Sequence, residues 1–218
     1  MKRYNALLMF VLQAFSIYIV CVIVLFTGAG DGYSAYFRGL GNFLFGKRWE
    51  NVVISFVPKN SQKTTLADGH RATNISVRID NKDYHYADGR PVQGELGVNS
   101  HLQGYLPTAL FLALILATPL GWKQRMQLMG VGLVLLHVFI AVLLWFVIVG
   151  YTEVSGVGIY RFGDMMKGFV SNVVQVALVN QIGISFVVPM LIWLGCIAVT
   201  GALRTLLPQK KEITDIRQ

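Results

Sequence analysis

Charge is what this chain has little of. Lys, Arg, Asp and Glu make up 14% of its 218 residues, against about 25% in soluble domains. None of them falls inside any of four apolar runs: Ala6–Phe26, Tyr105–Trp122, Leu128–Gly150 and Ile182–Leu203. Cysteine is equally scarce. Cys21 and Cys196 both lie within apolar runs, so the long polar segment between the first two runs has no disulfide framework, and each thiol reads as a small hydrophobe. Phosphate-cradling and dinucleotide motifs are absent, because Gly30, Gly32, Gly39 and Gly41 follow no strand-to-helix pattern. The net charge of +8 does not argue for nucleic acid, since the basic residues flank apolar runs and line no single groove.

The four runs are what the chain has in abundance. A bilayer core about 30 Å thick needs about 20 helical residues, and three runs reach that length, with the second slightly short. The expected fold is therefore membrane α-helical: four transmembrane helices, a small external β-rich insertion and two interfacial amphipathic helices. Lys2 and Arg3 precede the first run, Lys123 and Arg125 separate the second and third, and Arg204, Lys210, Lys211 and Arg217 follow the fourth. Short basic segments stay cytoplasmic, which puts both termini inside and residues 28–104 in the periplasm or outside. The first run is longer than a secretory apolar region of about 7–15 residues, so residues 1–27 read as an uncleaved anchor. Residues 105–206 read as a three-span bundle and 207–218 as a cytoplasmic tail.

Between the runs, Gly28-Ala29-Gly30-Asp31-Gly32 predicts a break. Tyr33, Tyr36, Phe37, Leu40, Phe43 and Leu44 then repeat at helical spacing, an aromatic face suited to the membrane surface. Val52–Val57 is a β-branched run, and Ile75, Val77 and Ile79 alternate with polar residues as in a half-buried strand. Asp80–Asp83 predicts a turn with Tyr84–Tyr86 as its return strand, and Asp88-Gly89-Arg90-Pro91 a second turn. So small a unit buries too little apolar surface to be secure alone. It should lean on the membrane, on its own helices or on another subunit. Asn74-Ile75-Ser76 matches a glycosylation sequon, a weak three-residue signal. At 162–178, Asp164, Lys167, Ser171 and Gln175 form a polar stripe opposite apolar residues, an interfacial helix in which Asp164 and Lys167 can pair.

Chemistry is harder to find. Cys196 and His137 fall near the middle of their runs and offer a thiol with a base, but no charged residue inside a run orients the histidine. His70, His85 and His101 lack metal-ligand spacing. A transporter subunit remains an alternative, without internal repeats to support it. The residues best placed to meet a partner are Tyr84, Tyr86, Asp164, Lys167, Ser171 and Gln175. No catalytic, cofactor or metal site is expected, and no small-molecule substrate is identified; the expected partners are membrane lipid and other membrane protein subunits.

One stretch carries a resemblance. Asn99-Ser100-His101-Leu102-Gln103-Gly104-Tyr105-Leu106-Pro107, entering the second apolar run, and Pro189-Met190-Leu191-Ile192-Trp193 in the last, resemble the small membrane proteins described as exosortase H-associated. Asn99, Tyr105 and Pro107 are the matching positions. The resemblance implies an accessory role beside an exosortase-type processing enzyme in a bacterial inner membrane. It does not imply that this chain is that enzyme: exosortases carry a Cys-x-Gly motif, whereas Cys196 is followed by Ile197 and Ala198, and Arg161 lies outside the apolar runs.

Overall fold

Twenty-one residues of nearly unbroken apolar sequence form α1, Tyr4–Val24. It ends in a kink. In the computed structural model, which describes residues 4–46, 49–59, 73–85, 89–155, 157, 163, 165–170, 172 and 181–200, Gly28 has φ +111°. A side chain rarely adopts that left-handed conformation, so the break falls on a glycine. The chain re-enters a helix at once as α2, Gly30–Phe45, whose buried stripe is Gly30, Ser34, Phe37, Gly41 and Phe45. These positions are three or four apart, so one face packs inward.

That face covers a three-stranded antiparallel sheet in the order β1 (Val52–Pro58), β2 (Ile75–His85), β3 (Pro91–Val98). The register aligns Phe56, Val77 and Leu96 across the strands. Ile75, Val77 and Ile79 are fully buried with Ile54, Phe56, Phe37 and Phe45. The strand face that the sequence left in need of cover is thus covered by the chain's own α2. The exposed edge of β1 is also managed. Asn42 of α2 donates from Nδ2 to the Phe56 carbonyl at 3.1 Å and accepts the Phe56 amide at 2.7 Å. Its side-chain amide does there what a fourth strand would do.

The expected turn at Asp80–Asp83 does not form. β2 runs straight through it to His85, with only an irregularity between Asn81 and His85. The polar groups find partners without turning the chain: Asn81 is buried and donates to the Val157 carbonyl at 2.7 Å, and Asp83 accepts from Asn51 at 3.1 Å. The return strand is β3. Tyr86 lies outside the described residues.

After β3, residues His101–Tyr105 form a π turn leading into α3, Leu106–Ala117. Pro107 sits in the first turn of α3, where its missing N–H costs nothing. Thr118 is extended (ψ 131°), as expected before Pro119, and ends the helix early. α4, Trp122–Val154, is 33 residues long, and α5 is Gln181–Val199 with Pro189 inside. α3 packs against α1, α4 and α5, and one continuous apolar core runs from Phe10 and Trp193 through Phe111 to the sheet. The sheet stands at one end of the helices, tied to the C-terminal end of α4 by a Tyr151 hydroxyl that accepts the Glu95 amide at 3.1 Å.

The four-span membrane fold expected from sequence is not the fold observed. Among the described residues two helices are long and apolar enough to cross a membrane, Leu7–Gly28 and Trp122–Glu153. The apolar stretches at His101–Ala117 and Ser185–Val199 are shorter. Apolar composition overstated the second helix because Thr118-Pro119 stops α3; residues 201–203 of the last run lie outside the described residues. The architecture is α/β, with a three-stranded antiparallel sheet packed on helices.

Candidate functional site

Where the helices meet the sheet, four polar side chains from distant parts of the chain converge. Ser34 comes from α2, Asn74 from the entry to β2, and Ser100 and His101 from the start of the π turn. Asn74 Nδ2 donates to the Ser34 and Ser100 hydroxyls, each at 2.8 Å, and its Oδ1 accepts the Ser100 amide at 2.9 Å. The two hydroxyls lie 3.0 Å apart, and Ser34 also donates to the Gly30 carbonyl at 2.9 Å. His101 Nε2 stands 3.3 Å from the Ser34 hydroxyl and 3.4 Å from the Gly30 carbonyl. Asn99 organises the turn itself, its Oδ1 accepting the amides of His101 and Leu102 at 3.0 and 3.1 Å.

A serine beside a histidine invites comparison with a nucleophile and base. The bonding argues for a joint instead. The Ser34 proton is committed to a backbone carbonyl, Ser100 is fully buried, and both hydroxyls accept from Asn74. The cluster fastens the kink after α1, the sheet and the start of α3 to one another. It also occupies the sequon: Asn74 is bonded through both ends of its amide. Just beside it the Tyr33 hydroxyl is buried without a hydrogen-bond partner. Burial pushes it from 10.0 up to about 12, with the neighbouring Thr108 side chain pulling weakly the other way.

A second polar clasp closes the far end of the helices. Thr118 Oγ1 accepts the Trp193 indole N–H at 2.9 Å and donates to the Leu114 carbonyl at 2.7 Å. Arg125 donates from Nη2 to the Thr118 and Leu120 carbonyls at 3.1 and 3.4 Å. These are carbonyls at and just past the end of α3 that the helix itself leaves open.

The residues singled out from sequence are scattered by the fold. Tyr84 is 39% exposed near the end of β2, and Lys167 pairs with Glu153 at 2.9 Å. Asp164, Ser171 and Gln175 lie outside the described residues, as do Tyr86 and His70. Tyr105 donates to the Cys21 carbonyl at 2.7 Å, and Pro107 is buried; with Asn99, all three matching positions of the motif have bonding or packing roles within the chain. Cys196 and His137 are not brought together. His137 bonds the Leu133 carbonyl at 2.8 Å and meets the Tyr36 ring at 5.9 Å, while Cys196 is buried one turn past Trp193, near the Thr118 clasp. His85 is exposed at the strand end. No group of three His, Cys, Asp or Glu among the described residues is arranged to hold a metal.

Sequence reading missed Ser34, Asn74 and Ser100 as a unit. Small polar residues carry no periodic signal, and only the fold brings positions 34, 74 and 100 together. Comparison with family models, curated proteins and solved structures finds no match to this chain.

Proposed function

We propose that this chain is a membrane-embedded, non-catalytic accessory protein of the bacterial inner membrane, which holds its sheet at the membrane surface for a partner protein. The observation that carries the reading is where the apolar surface lies. On α1, Leu7, Leu8, Met9, Val11, Leu12, Phe15, Ile19, Val20, Ile23 and Val24 are all exposed, as is Phe26 just past its end, and only 6% of that apolar window is buried. A core helix would be mostly covered, whereas this one shows apolar side chains all round. The same surface continues on α4 at Val131, Val134, Leu135, Val138 and Val142, and on α5 at Val187, Met190, Leu191 and Leu194. Lipid is the solvent that such a surface fits.

The accessory role rests on the two polar clusters, whose groups are spent on bonds inside the chain. In this reading the Lys123 and Arg125 end faces the cytoplasm and the sheet faces the periplasm. Tyr84 and Lys167 border the partner-facing side. The partner class is an exosortase-type processing enzyme, a proposal supported by the resemblance around Asn99, Tyr105 and Pro107 alone.

Alkaline carbonate washing of membranes tests embedding: the chain should stay in the pellet, and release into the wash refutes it. Orientation is tested with a membrane-impermeant thiol reagent after Cys21 and Cys196 are replaced. A cysteine at exposed Lys82 should label and one at Gln124 should not. A photo-crosslinker at Tyr84 and Lys167 should capture another membrane protein, and adducts from Gln124 alone would put the working face on the other side.

A further inference from the structure

We propose that the apolar surface of this chain fits a thin bilayer and selects phospholipids with short acyl chains. The layer it matches is about 25 Å thick, about 5 Å less than a typical hydrocarbon core. The proposal rests on the membrane-embedded reading and adds to it the acyl-chain length of the lipid.

The first measure is α3. With the π turn before it, it forms one apolar stretch, His101–Ala117, about 25 Å long at about 1.5 Å per residue. Polar groups close this stretch at both ends. At its start stand Ser34, Asn74, Ser100 and His101. Exposed Asp31 lies near the same level, since it follows Gly30, whose carbonyl is 3.4 Å from His101 Nε2. At its far end Thr118 takes the bonds from Trp193 and Arg125.

α4 gives a second measure. It runs antiparallel beside α3, because Arg125 bonds the Thr118 carbonyl and Gly132 packs on the Phe111 ring. His101 therefore comes level with about Val142. The exposed large apolar residues of α4 stop at that level: past Trp122 they are Met126, Val131, Val134, Leu135, Val138 and Val142, a span of about 25 Å. From Leu143 to Glu153 no residue is exposed, so only the first half of α4 faces lipid and its full length does not set the thickness. α1 agrees with both, exposing apolar side chains from Leu7 to Val24, again about 25 Å.

Aromatic rings stand at both borders. Trp122, 67% exposed, directly precedes Lys123. Tyr36, 49% exposed, meets His137 at 5.9 Å, and Trp122 and His137 are about 22 Å apart along α4. Indole and phenol rings favour the headgroup layer, so these two place the headgroup layers close together. In a core of about 30 Å, part of the acyl layer would face polar groups at one end or the other. Compressing long-chain lipid to match costs free energy with every ångström, and a shorter acyl chain avoids that cost.

The test reconstitutes the full chain in phosphatidylcholine vesicles whose acyl chains lengthen from dimyristoleoyl through dipalmitoleoyl and dioleoyl to dierucoyl. Each is mixed with dioleoyl lipid brominated at mid-chain. Bromine quenches tryptophan on contact, so relief of quenching gives the affinity of each lipid relative to the brominated one. Affinity should peak at dipalmitoleoyl or shorter and exceed that of dierucoyl by about twofold or more. Lys123→Leu/Gln124→Leu keeps Arg125 and the Thr118 clasp, adds about 3 Å of apolar surface to α4, and should move the peak toward dioleoyl. A parent peak at dioleoyl or longer, equal affinities across the series, or a peak that the variant leaves in place overturns the thickness assignment and leaves the embedding standing. A protein that stays in solution with its tryptophans unquenched overturns both.

Discussion

Removing one amide should loosen the junction between helices and sheet more than any other polar change near it. Asn74→Ala deletes two donations at 2.8 Å to Ser34 and Ser100, together with the acceptor for the Ser100 amide at 2.9 Å. The backbone of residue 74 should stay in place, because it bonds Val98 and Lys59 through main-chain groups. The two hydroxyls also retain each other, and Ser34 retains the Gly30 carbonyl, so their loss is about 0.5–1.5 kcal/mol. The larger cost falls on the Ser100 amide, orphaned on a fully buried residue, at about 1–3 kcal/mol. Together the substitution should cost about 2–4 kcal/mol. Ser34→Ala strands no amide and should cost about 1 kcal/mol. The double variant should cost less than the sum, since both remove the same bond. Unfolding of the full chain in mild detergent, followed by tryptophan fluorescence, measures the order. Hydrogen exchange at the Ser100 amide locates it. If Asn74→Ala lies within about 0.5 kcal/mol of the parent, or costs less than Ser34→Ala, the junction is not held in the way described.

Three further outcomes follow from other parts of the structure. A Cβ on Gly132 would overlap Phe111 Cζ on a fully buried ring, so Gly132→Ala should cost about 1–3 kcal/mol despite a gain in helix propensity. Phe111→Leu should recover part of that loss, and a Gly132→Ala chain as stable as the parent would contradict the α3–α4 packing. Thr118→Val keeps the shape but strands the buried Trp193 N–H, a loss of about 1–3 kcal/mol, seen as a shift in tryptophan emission and a lower melting temperature. Tyr33 keeps its proton up to about pH 12 in the folded chain, against 10.0 unfolded. Its contribution is therefore whole below pH 10 and lost as pH rises through 12, by at most about 3 kcal/mol. Tyr33→Phe should flatten that alkaline limb in a pH series of melting temperatures, and an unchanged limb would mean another group sets it.

Periodicity carried the parts of the fold in which one residue type repeats. The alternation of Ile75, Val77 and Ile79 located the buried face of β2, and the Gly28 region located the bend after α1. It failed where side-chain bonds override local preference. Asp80–Asp83 looks like a turn by composition, yet Asn81 bonding Val157 and Asn51 bonding Asp83 keep the strand extended. Hydropathy likewise found the apolar runs but not their lengths as helices, which depend on the Thr118-Pro119 stop. The polar junction was illegible for a different reason. Its members are ordinary small polar residues, and one of them, Asn74, sits in a sequon whose three residues say nothing of its bonds to Ser34 and Ser100.

α4 has two halves with different surroundings. Up to Val142 its side chains include many that are exposed and apolar, while Leu144, Val147, Ile148, Val149 and Thr152 are buried, and Tyr151 bonds the sheet. At 33 residues it is about 50 Å long, some 20 Å more than a bilayer core needs. In the membrane-embedded reading proposed above, lipid would hold one end of this rod and the sheet the other, which makes it a lever. Were bilayer thickness to tilt it by about 10°, its far end would swing about 9 Å, carrying β3 with it. A membrane that thickens or thins would in that way move the sheet, a mechanical input that needs no ligand.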